Sequence, residues 1–329
     1  MMEQIKLPSG HSQLILEPNL EGRDFVVGDI HGCLDQLMAG LDYIGFNDKD
    51  RLFSVGDLID RGPKNLEVLR MFLDTQNFFF VEGNHEDMMK CSHGDRATAD
   101  ADGTFTMWLQ NGGAWALDYY NKGEEAEAFL EYDALVKRTY DIPVAITVKN
   151  QEGRAAFHVM HAGILHAETK QTDIGILNGL DPFTVGAIDF HGLDKIIWNR
   201  EPFYNFHRFP QNVMEIAPDI LKTAVKHAYE YCNHEHLLHD KLSPILVGHN
   251  VVRRPMKLLG HINIDTGSYF QLDSYRKHLA TVDWPGLTIV EPATMKAIKV
   301  NFNNTPAVEK VDILDLDALM TPEDLKELQ

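Results

Sequence analysis

Only three cysteines occur in 329 residues, at Cys33, Cys91 and Cys232. Their irregular spacing forms neither a disulfide framework nor a thiolate zinc pattern, which fits a reducing compartment. Positive charge is also scarce: 30 Lys and Arg stand against 49 Asp and Glu, a formal net charge of -19. That balance disfavours non-specific attraction to nucleic acid or to an anionic membrane, so an anionic partner has to be drawn in locally. No apolar run approaches the roughly 18 residues that span a bilayer. Residues 1–10 lack the basic and apolar regions of a secretion signal. Repeats, low-complexity tracts and Pro/Gly/Ser linkers are missing too. These absences predict a cytoplasmic protein with a single domain over 1–329 and with no membrane or nucleic-acid partner. Within it, 1–22 reads as an N-terminal extension, 202–243 as an insertion, and 285–329 as C-terminal strands and an acidic tail. Nothing in the composition speaks to oligomeric state.

The first third of the chain repeats one pattern three times: a short β-branched or aromatic run, a glycine-led polar turn, and a helical periodicity. Phe25 to Val27 leads into Gly28-Asp29-Ile30-His31-Gly32, then Leu34, Leu37, Met38 and Leu41. Leu52 to Val55 leads into Gly56-Asp57-Leu58-Ile59-Asp60-Arg61-Gly62, then Leu66, Val68, Leu69, Phe72 and Leu73. Phe78 to Val81 leads into Gly83-Asn84-His85-Glu86 and a helix from Asp87. Crossovers of this length predict a parallel sheet here, covered by helices on both faces. Helical stretches follow over 105–120 and 124–139, with a further helix over 219–232. Strand patterns return over 144–148, 156–160, 245–247, 262–264, 287–290 and 295–300. Their close spacing predicts partly antiparallel pairing, so the fold class is α/β with α+β elements: mixed β-sheets flanked by helices.

Ligands of open α/β sheets gather beyond the carboxyl ends of the strands. Asp29, His31, Asp57 and Asn84 fall at three such ends, and His161 and His249 follow the strands ending near Met160 and Val247. Two carboxylates, one amide oxygen and three imidazoles suit Mn²⁺, Fe or Zn²⁺ better than Mg²⁺ or Ca²⁺.

The order Gly-Asp-x-His-Gly, Gly-Asp-x-x-Asp-Arg-Gly, Gly-Asn-His-Glu, His161-Ala162-Gly163 and Gly248-His249 resembles the metal-dependent phosphoprotein phosphatases of the calcineurin-like metallophosphoesterases. Trp108-Leu109-Gln110-Asn111-Gly112-Gly113, Ile197 to Glu201 and Ile264-Asp265-Thr266-Gly267 are similar to stretches of the bacteriophage lambda type of Ser/Thr phosphatase. The resemblance implies the metallophosphoesterase fold and two divalent ions, Mn²⁺ first. Asp29 and His31 would hold one ion; Asn84, His161 and His249 would hold the other; Asp57 would bridge both. His85 would be the general acid with Asp60 its orienting carboxylate, and Arg61 and Arg200 would bind phosphate. The implied reaction is hydrolysis of phosphomonoesters by a metal-held hydroxide. The implied partners are phosphorylated proteins or peptides, phospho-Ser/Thr first with phospho-Tyr as a second class. Such a reaction fits the residues, because charge crowding at phosphorus makes it among the slowest uncatalysed hydrolyses, and cations and guanidinium forks relieve that crowding. A carboxylate beside His85 is expected to raise its pKa above about 6.5.

Two other functions share these motifs. A diadenosine tetraphosphatase or other nucleotide hydrolase would usually lack the aspartate at 60 and carry Asp rather than Glu86. A non-catalytic binding protein would be expected to have lost a ligand or His85, and none is missing. Asn250 stands where the family more often has Thr. Elsewhere, His234, His236 and His239 read as solvated residues, and His158 as structural, since period two turns it away from His161. Cys33 reads as a buried helix-start residue rather than an oxidant sensor. Phe203, Tyr204, Phe206 and Phe209 read as core more than as a substrate groove.

Overall fold

Along Phe25-Val26-Val27 the side chains alternate between two apolar layers, and the same alternation in neighbouring strands sets the architecture. The computed structural model describes residues 2–7, 11–94, 103–164, 173, 197–200, 203, 206, 209, 212–231, 242–272, 284–303 and 305–327. In chain order the strands are β1 (Met2–Lys6), β2 (Ser12–Leu16), β3 (Asp24–Val27), β4 (Arg51–Ser54), β5 (Phe78–Phe80), β6 (Ala145–Lys149) and β7 (Ala155–Met160). They continue with β8 (Ile245–Val247), β9 (Met256–Leu258), β10 (His261–Asn263), β11 (Leu287–Glu291), β12 (Lys296–Asn303), β13 (Thr305–Val311) and β14 (Leu314–Asp315). The helices are α1 (Leu34–Tyr43), α2 (Asn65–Asp74), α3 (Asn84–Gly94), α4 (Thr104–Gln110), α5 (Leu117–Tyr120), α6 (Glu127–Arg138), α7 (Val213–Ile216), α8 (Pro218–Tyr231) and α9 (Pro322–Glu327). Among the described residues no helix is long and apolar enough to cross a membrane.

Two mixed sheets result. One runs β13-β12-β11-β3-β4-β5, with β3, β4 and β5 parallel as the crossovers require. The other runs β1-β2-β6-β7-β8-β10-β9-β14, and its β7, β8 and β10 are parallel neighbours. The first sheet carries helices on one face only, where Phe25, Val27 and Leu52 meet Leu37 and Leu41 of α1 and Leu66, Leu69 and Phe72 of α2. Its other face is covered not by helices, as its pattern led us to expect, but by the second sheet. Val26, Phe53, Val55 and Val81 there interdigitate with Ile146, Val148, Phe157, Val159, Leu246 and Ile262. The physical reason is that β6, β7, β8 and β10 alternate too, and need an apolar partner on each face. Their far side packs on α8 through Leu221, Val225 and Tyr229.

Met2–Lys6 and Ser12–Leu16 form two strands of the larger sheet, and every residue of β2 is buried. The periodicity over 105–120 is broken at Asn111-Gly112, where Gly112 adopts φ 114°. Strands β1, β2, β9, β13 and β14 have weak sequence signals because they are short, lie at sheet edges or carry charges, as in Glu309 and Lys310 of β13. Of the 202–243 segment, only 203, 206, 209, 212–231, 242 and 243 are described. Tyr204, Cys232 and the histidines at 234, 236 and 239 lie outside the described residues. Phe203 and Phe206 are buried in the core under the larger sheet.

His158 and Cys33 are structural. His158 is buried on β7, its ring nitrogens placed 2.9 Å from Thr147 Oγ1 and 3.1 Å from Asp173 Oδ1. Burial pushes the Cys33 thiol up to about 12, far from a reactive thiolate.

The fold also buries His261 on β10 with both ring nitrogens used. Nδ1 donates to Leu259 O at 2.9 Å and Nε2 accepts from Ile164 N at 3.2 Å, so the ring is held neutral. Burial lowers its pKa from 6.5 to about 4. The folded state therefore resists protonation that the unfolded chain accepts, and this contribution is complete above pH 6.5 and lost as pH falls towards 4. Its scale is about 3 kcal/mol. Replacing His261 with Gln should lower stability at neutral pH and make the decline between pH 6.5 and 4 shallower than in the wild type. Urea melts across that range test it, and an identical slope in the variant would refute it.

Candidate metal centre

Five loops leave the carboxyl ends of β3, β4, β5, β7 and β8 at one end of the sandwich, and each carries polar residues into a common buried space. Asp29, His31, Asp57, Asp60, Asn84, His85, His161 and His249 are all buried. Asp57 lies at the centre: its carboxylate oxygens are 3.6 Å from His31 Nε2, 3.8 Å from His85 Nε2 and 3.5 Å from His161 Nε2. Asn84 Oδ1 lies 2.9 Å from both His161 Nε2 and His249 Nδ1. Asp29 accepts the His249 backbone N–H at 3.1 to 3.2 Å, which ties the first loop to the last. A side chain at Gly248 would put its Cβ 1.9 Å from Asp29 Oδ1, so this approach requires glycine.

The backbone is bent to make this convergence. Among the described residues, seven non-glycine residues have positive φ, and five belong to the site: His31, Asp57, Asp60, Arg61 and His249. Left-handed backbone at such residues costs on the order of 1–3 kcal/mol each, and it persists only where surrounding contacts over-determine it.

The donor set fits divalent cations. His31 Nδ1 donates to Ile59 O and His161 Nδ1 to Val55 O, both at 2.7 Å, so each ring turns its Nε2 lone pair inward. His161 Nε2 and Asn84 Oδ1 are then two acceptors facing each other, an arrangement that a cation satisfies. Burial, followed by the charge of Arg61, holds His31 well below the ordinary histidine range. Burial, helped by the Arg200 charge, brings His161 to about 4, and burial with the neighbouring His161 lowers His249. These rings are neutral, as ligation requires. The acids move the other way: burial raises Asp57 to about 7 and, with Asp265 and Asp57 nearby, raises Asp29. Groupings of His31, Asp57 and His85, and of Asp29, Asp57 and His161, bring one donor atom from each residue within ion-sharing distance.

The remaining expected residues surround this nest. His85 Nδ1 is 2.6 Å from Asp60 Oδ2. The expected rise in the His85 pKa is not found, because burial and the Arg61 charge hold it well below the ordinary value. Arg61 places Nη1 2.6 Å from His31 Nε2, and its guanidinium sits 4.5 Å over the Tyr269 ring. Arg200 is exposed and lines a cleft of about 430 Å³ together with Asp57, Arg61, Asn84, His249 and Arg253. Asn250 lines the same cleft, its Nδ2 donating to Asn199 O at 3.2 Å.

Other residues with a part in the site went unassigned in the sequence reading. Glu86 accepts the backbone N–H groups of Asp57, Leu58 and Gly83 at 2.9 to 3.0 Å and so fixes the loop that carries Asp57. Burial and the Asp57 charge push its carboxyl up to about 8, while the N–H donors oppose the rise. Asp265, raised to about 6 by burial, accepts from Gly267 N at 2.9 Å. Each position carried a signal without a role: Glu86 directly after Gly-Asn-His, and Asp265 within Ile264-Asp265-Thr266-Gly267.

Glu86→Ala should leave three buried N–H groups without acceptors, each at about 1–3 kcal/mol. We expect a stability loss of at least about 3 kcal/mol in urea melts. A loss below about 1 kcal/mol would mean that other groups hold the Asp57 loop.

The sequence pattern of the calcineurin-like phosphoesterases matches residues 25–265, which contain this whole arrangement. The chain is 41% identical over 139 residues to serine/threonine-protein phosphatase 2 of Escherichia coli, covering 42% of this chain and 57% of that protein. It is 45% identical over 182 residues to serine/threonine-protein phosphatase 1 of Salmonella typhimurium, covering 55% and 70%. A symmetrical bis(5'-nucleosyl)-tetraphosphatase of Aliivibrio fischeri is 32% identical over 130 residues, covering 37% and 48%. The chain thus spans about half the length of the first and last of these relatives. With its motifs on adjoining strand ends and the match extending over most of its length, the chain belongs to the calcineurin-like phosphoesterase family.

Proposed function

We propose that the protein is a metal-dependent phosphomonoesterase acting on phosphorylated proteins or peptides, phosphoserine and phosphothreonine first. The observation that carries this reading is the pairing of the ligand-like nest with His85 and Asp60 at 2.6 Å. In our assignment Asp29 and His31 would hold one divalent ion, Asn84, His161 and His249 would hold a second, and Asp57 would serve both. Mn²⁺ is the preferred metal because three imidazoles suit a softer ion. A bound pair of such ions supplies positive charge for the phosphoryl oxygens and makes water nucleophilic at neutral pH.

The chain's own groups do the rest. Arg61 and Arg200 fork onto the non-bridging oxygens and align phosphorus. As the P–O bond to the ester oxygen breaks, His85 Nε2 gives that oxygen a proton. Asp60 holds the ring by Nδ1 and, with the incoming dianion, favours the imidazolium against the effect of burial. Poor leaving groups such as the serine alkoxide need this proton most, which favours a protein phosphatase over a tetraphosphatase.

Chelation should abolish hydrolysis of a phosphoserine peptide, and Mn²⁺ should restore it better than Mg²⁺. Full activity in a chelated, metal-free sample would end the two-metal reading. Faster hydrolysis of diadenosine tetraphosphate than of phosphopeptides would transfer the function to the nucleotide hydrolases. Arg200→Ala should raise KM and the inhibition constant for inorganic phosphate by about tenfold or more, with metal content unchanged. Unaltered phosphate inhibition would remove Arg200 from the site.

A further inference from the structure

Two tryptophans outside the donor set aim their indole N–H groups at the same carboxylate. Trp108 Nε1 donates to Asp60 Oδ2 at 2.9 Å and Trp115 Nε1 donates to Asp60 Oδ1 at 2.7 Å. With His85 Nδ1 at 2.6 Å from Oδ2, both oxygens of a fully buried carboxylate are engaged. The indoles brace each other edge to face, with ring centroids 6.2 Å apart.

The segment between them is shaped to make this grip. Trp108 lies in α4 and Trp115 in the short 3-10 turn Gly113–Ala116, so the chain must reverse at Asn111-Gly112. A Cβ at Gly113 would lie 2.5 Å from the Trp108 indole. A Cβ at Gly112, where φ is 114°, would lie 2.8 Å from Arg61. Gly112 O also accepts from Arg61 N at 3.3 Å. The same segment therefore supports Asp60 and Arg61, the two consecutive left-handed residues at φ 72° and 68°.

We propose that Trp108 and Trp115 are positioning residues whose N–H groups lock the Asp60 carboxylate and thereby aim His85. The inference rests on the assignment of His85 as the proton donor. A carboxylate held by one partner can rotate about its Cβ–Cγ bond, whereas three donors leave it one orientation. The His85 ring, anchored to it by Nδ1, then has one direction for Nε2. Misplacement of a catalytic group by about 1 Å can cost on the order of a hundredfold in rate.

The test replaces each tryptophan with Phe and, separately, with 3-benzothienylalanine, which keeps the indole shape and removes only the N–H donor. In the Mn²⁺-loaded protein, each benzothienylalanine variant should lower kcat for a phosphoserine peptide about tenfold, with KM within about twofold of wild type. Nitrophenyl phosphate, whose leaving group needs little protonation, should lose much less. In the Zn²⁺-loaded protein, the proton resonance of His85 Nδ1–H should move upfield in the same variants as its bond to Asp60 loosens. Benzothienylalanine variants with wild-type kinetics beside impaired Phe variants would mean that packing alone matters, and would overturn the proposal. Equal losses on both esters would overturn it too. If the wild type hydrolyses neither ester, the function proposed above fails, and the His85 resonance still decides the role of the two indoles.

Discussion

Everything at this end of the molecule depends on keeping like charge close together in a buried space. Asp29, Asp57, Asp60, Glu86 and Asp265 are all buried around one space, and burial raises the carboxyl pKa of each. Isolated carboxylates in such surroundings would be prohibitive. Each is made tolerable differently: Glu86 by three backbone N–H groups, Asp60 by two indoles, Asp29 by the His249 amide. Asp57 accepts the His85 amide at 3.1 Å, and it is the acid that faces three imidazoles. A carboxylate facing three imidazole nitrogens in a crowded nest is well suited to a cation.

The sandwich supplies the rigidity that this crowding needs. β3, β4 and β5 belong to one sheet and β7 and β8 to the other, so the site straddles the seam between them. The seam is filled by Val26, Phe53, Val55, Val159, Leu246 and Ile262, packed as one apolar cluster. Cross-sheet ties then fix the loops: His161 Nδ1 reaches Val55 O at 2.7 Å, and Ser268 Oγ reaches Asp29 O at 2.8 Å. Strained left-handed residues survive here because two cores, not one, hold the ends of their loops.

The glycine-led motifs were legible because each brings its chemistry in a contiguous run. Asp29 and His31, or Asp57, Asp60 and Arg61, need only one turn to share a space. What the sequence left unread comes from residues brought in across long chain separations. Trp108 and Trp115 meet Asp60 across 48 and 55 positions, and no spacing rule connects them. Glu86 reaches back 28 and 29 positions to backbone groups, which carry no sequence label at all. The second sheet was missed as a cover for the first for a related reason. Alternation reports that a strand face is buried and is silent on whether a helix or another strand buries it. The depressed His85 pKa was likewise invisible, since the nearby Asp60 was legible but the burial and the proximity of Arg61 were not.

The net charge of -19 points away from anionic ligands, yet the cleft above the nest inverts that sign locally. Arg61, Arg200 and Arg253 line it, against Asp57 as the one carboxylate among its described residues. The acids of the outer surface are screened beyond a Debye length of roughly 10 Å, whereas the three guanidinium groups act at the cleft itself, above carboxyl groups whose ionisation burial disfavours. Aromatic walls strengthen the effect by excluding water: Tyr269 lies under Arg61, and Trp284 lies 5.8 Å from the Arg253 guanidinium. On the proposed reading, an acidic exterior would repel polyanions as whole molecules while the cleft would receive a single dianion presented on a neutral or basic chain, the charge pattern of a phosphorylated side chain on a peptide, which the overall composition conceals.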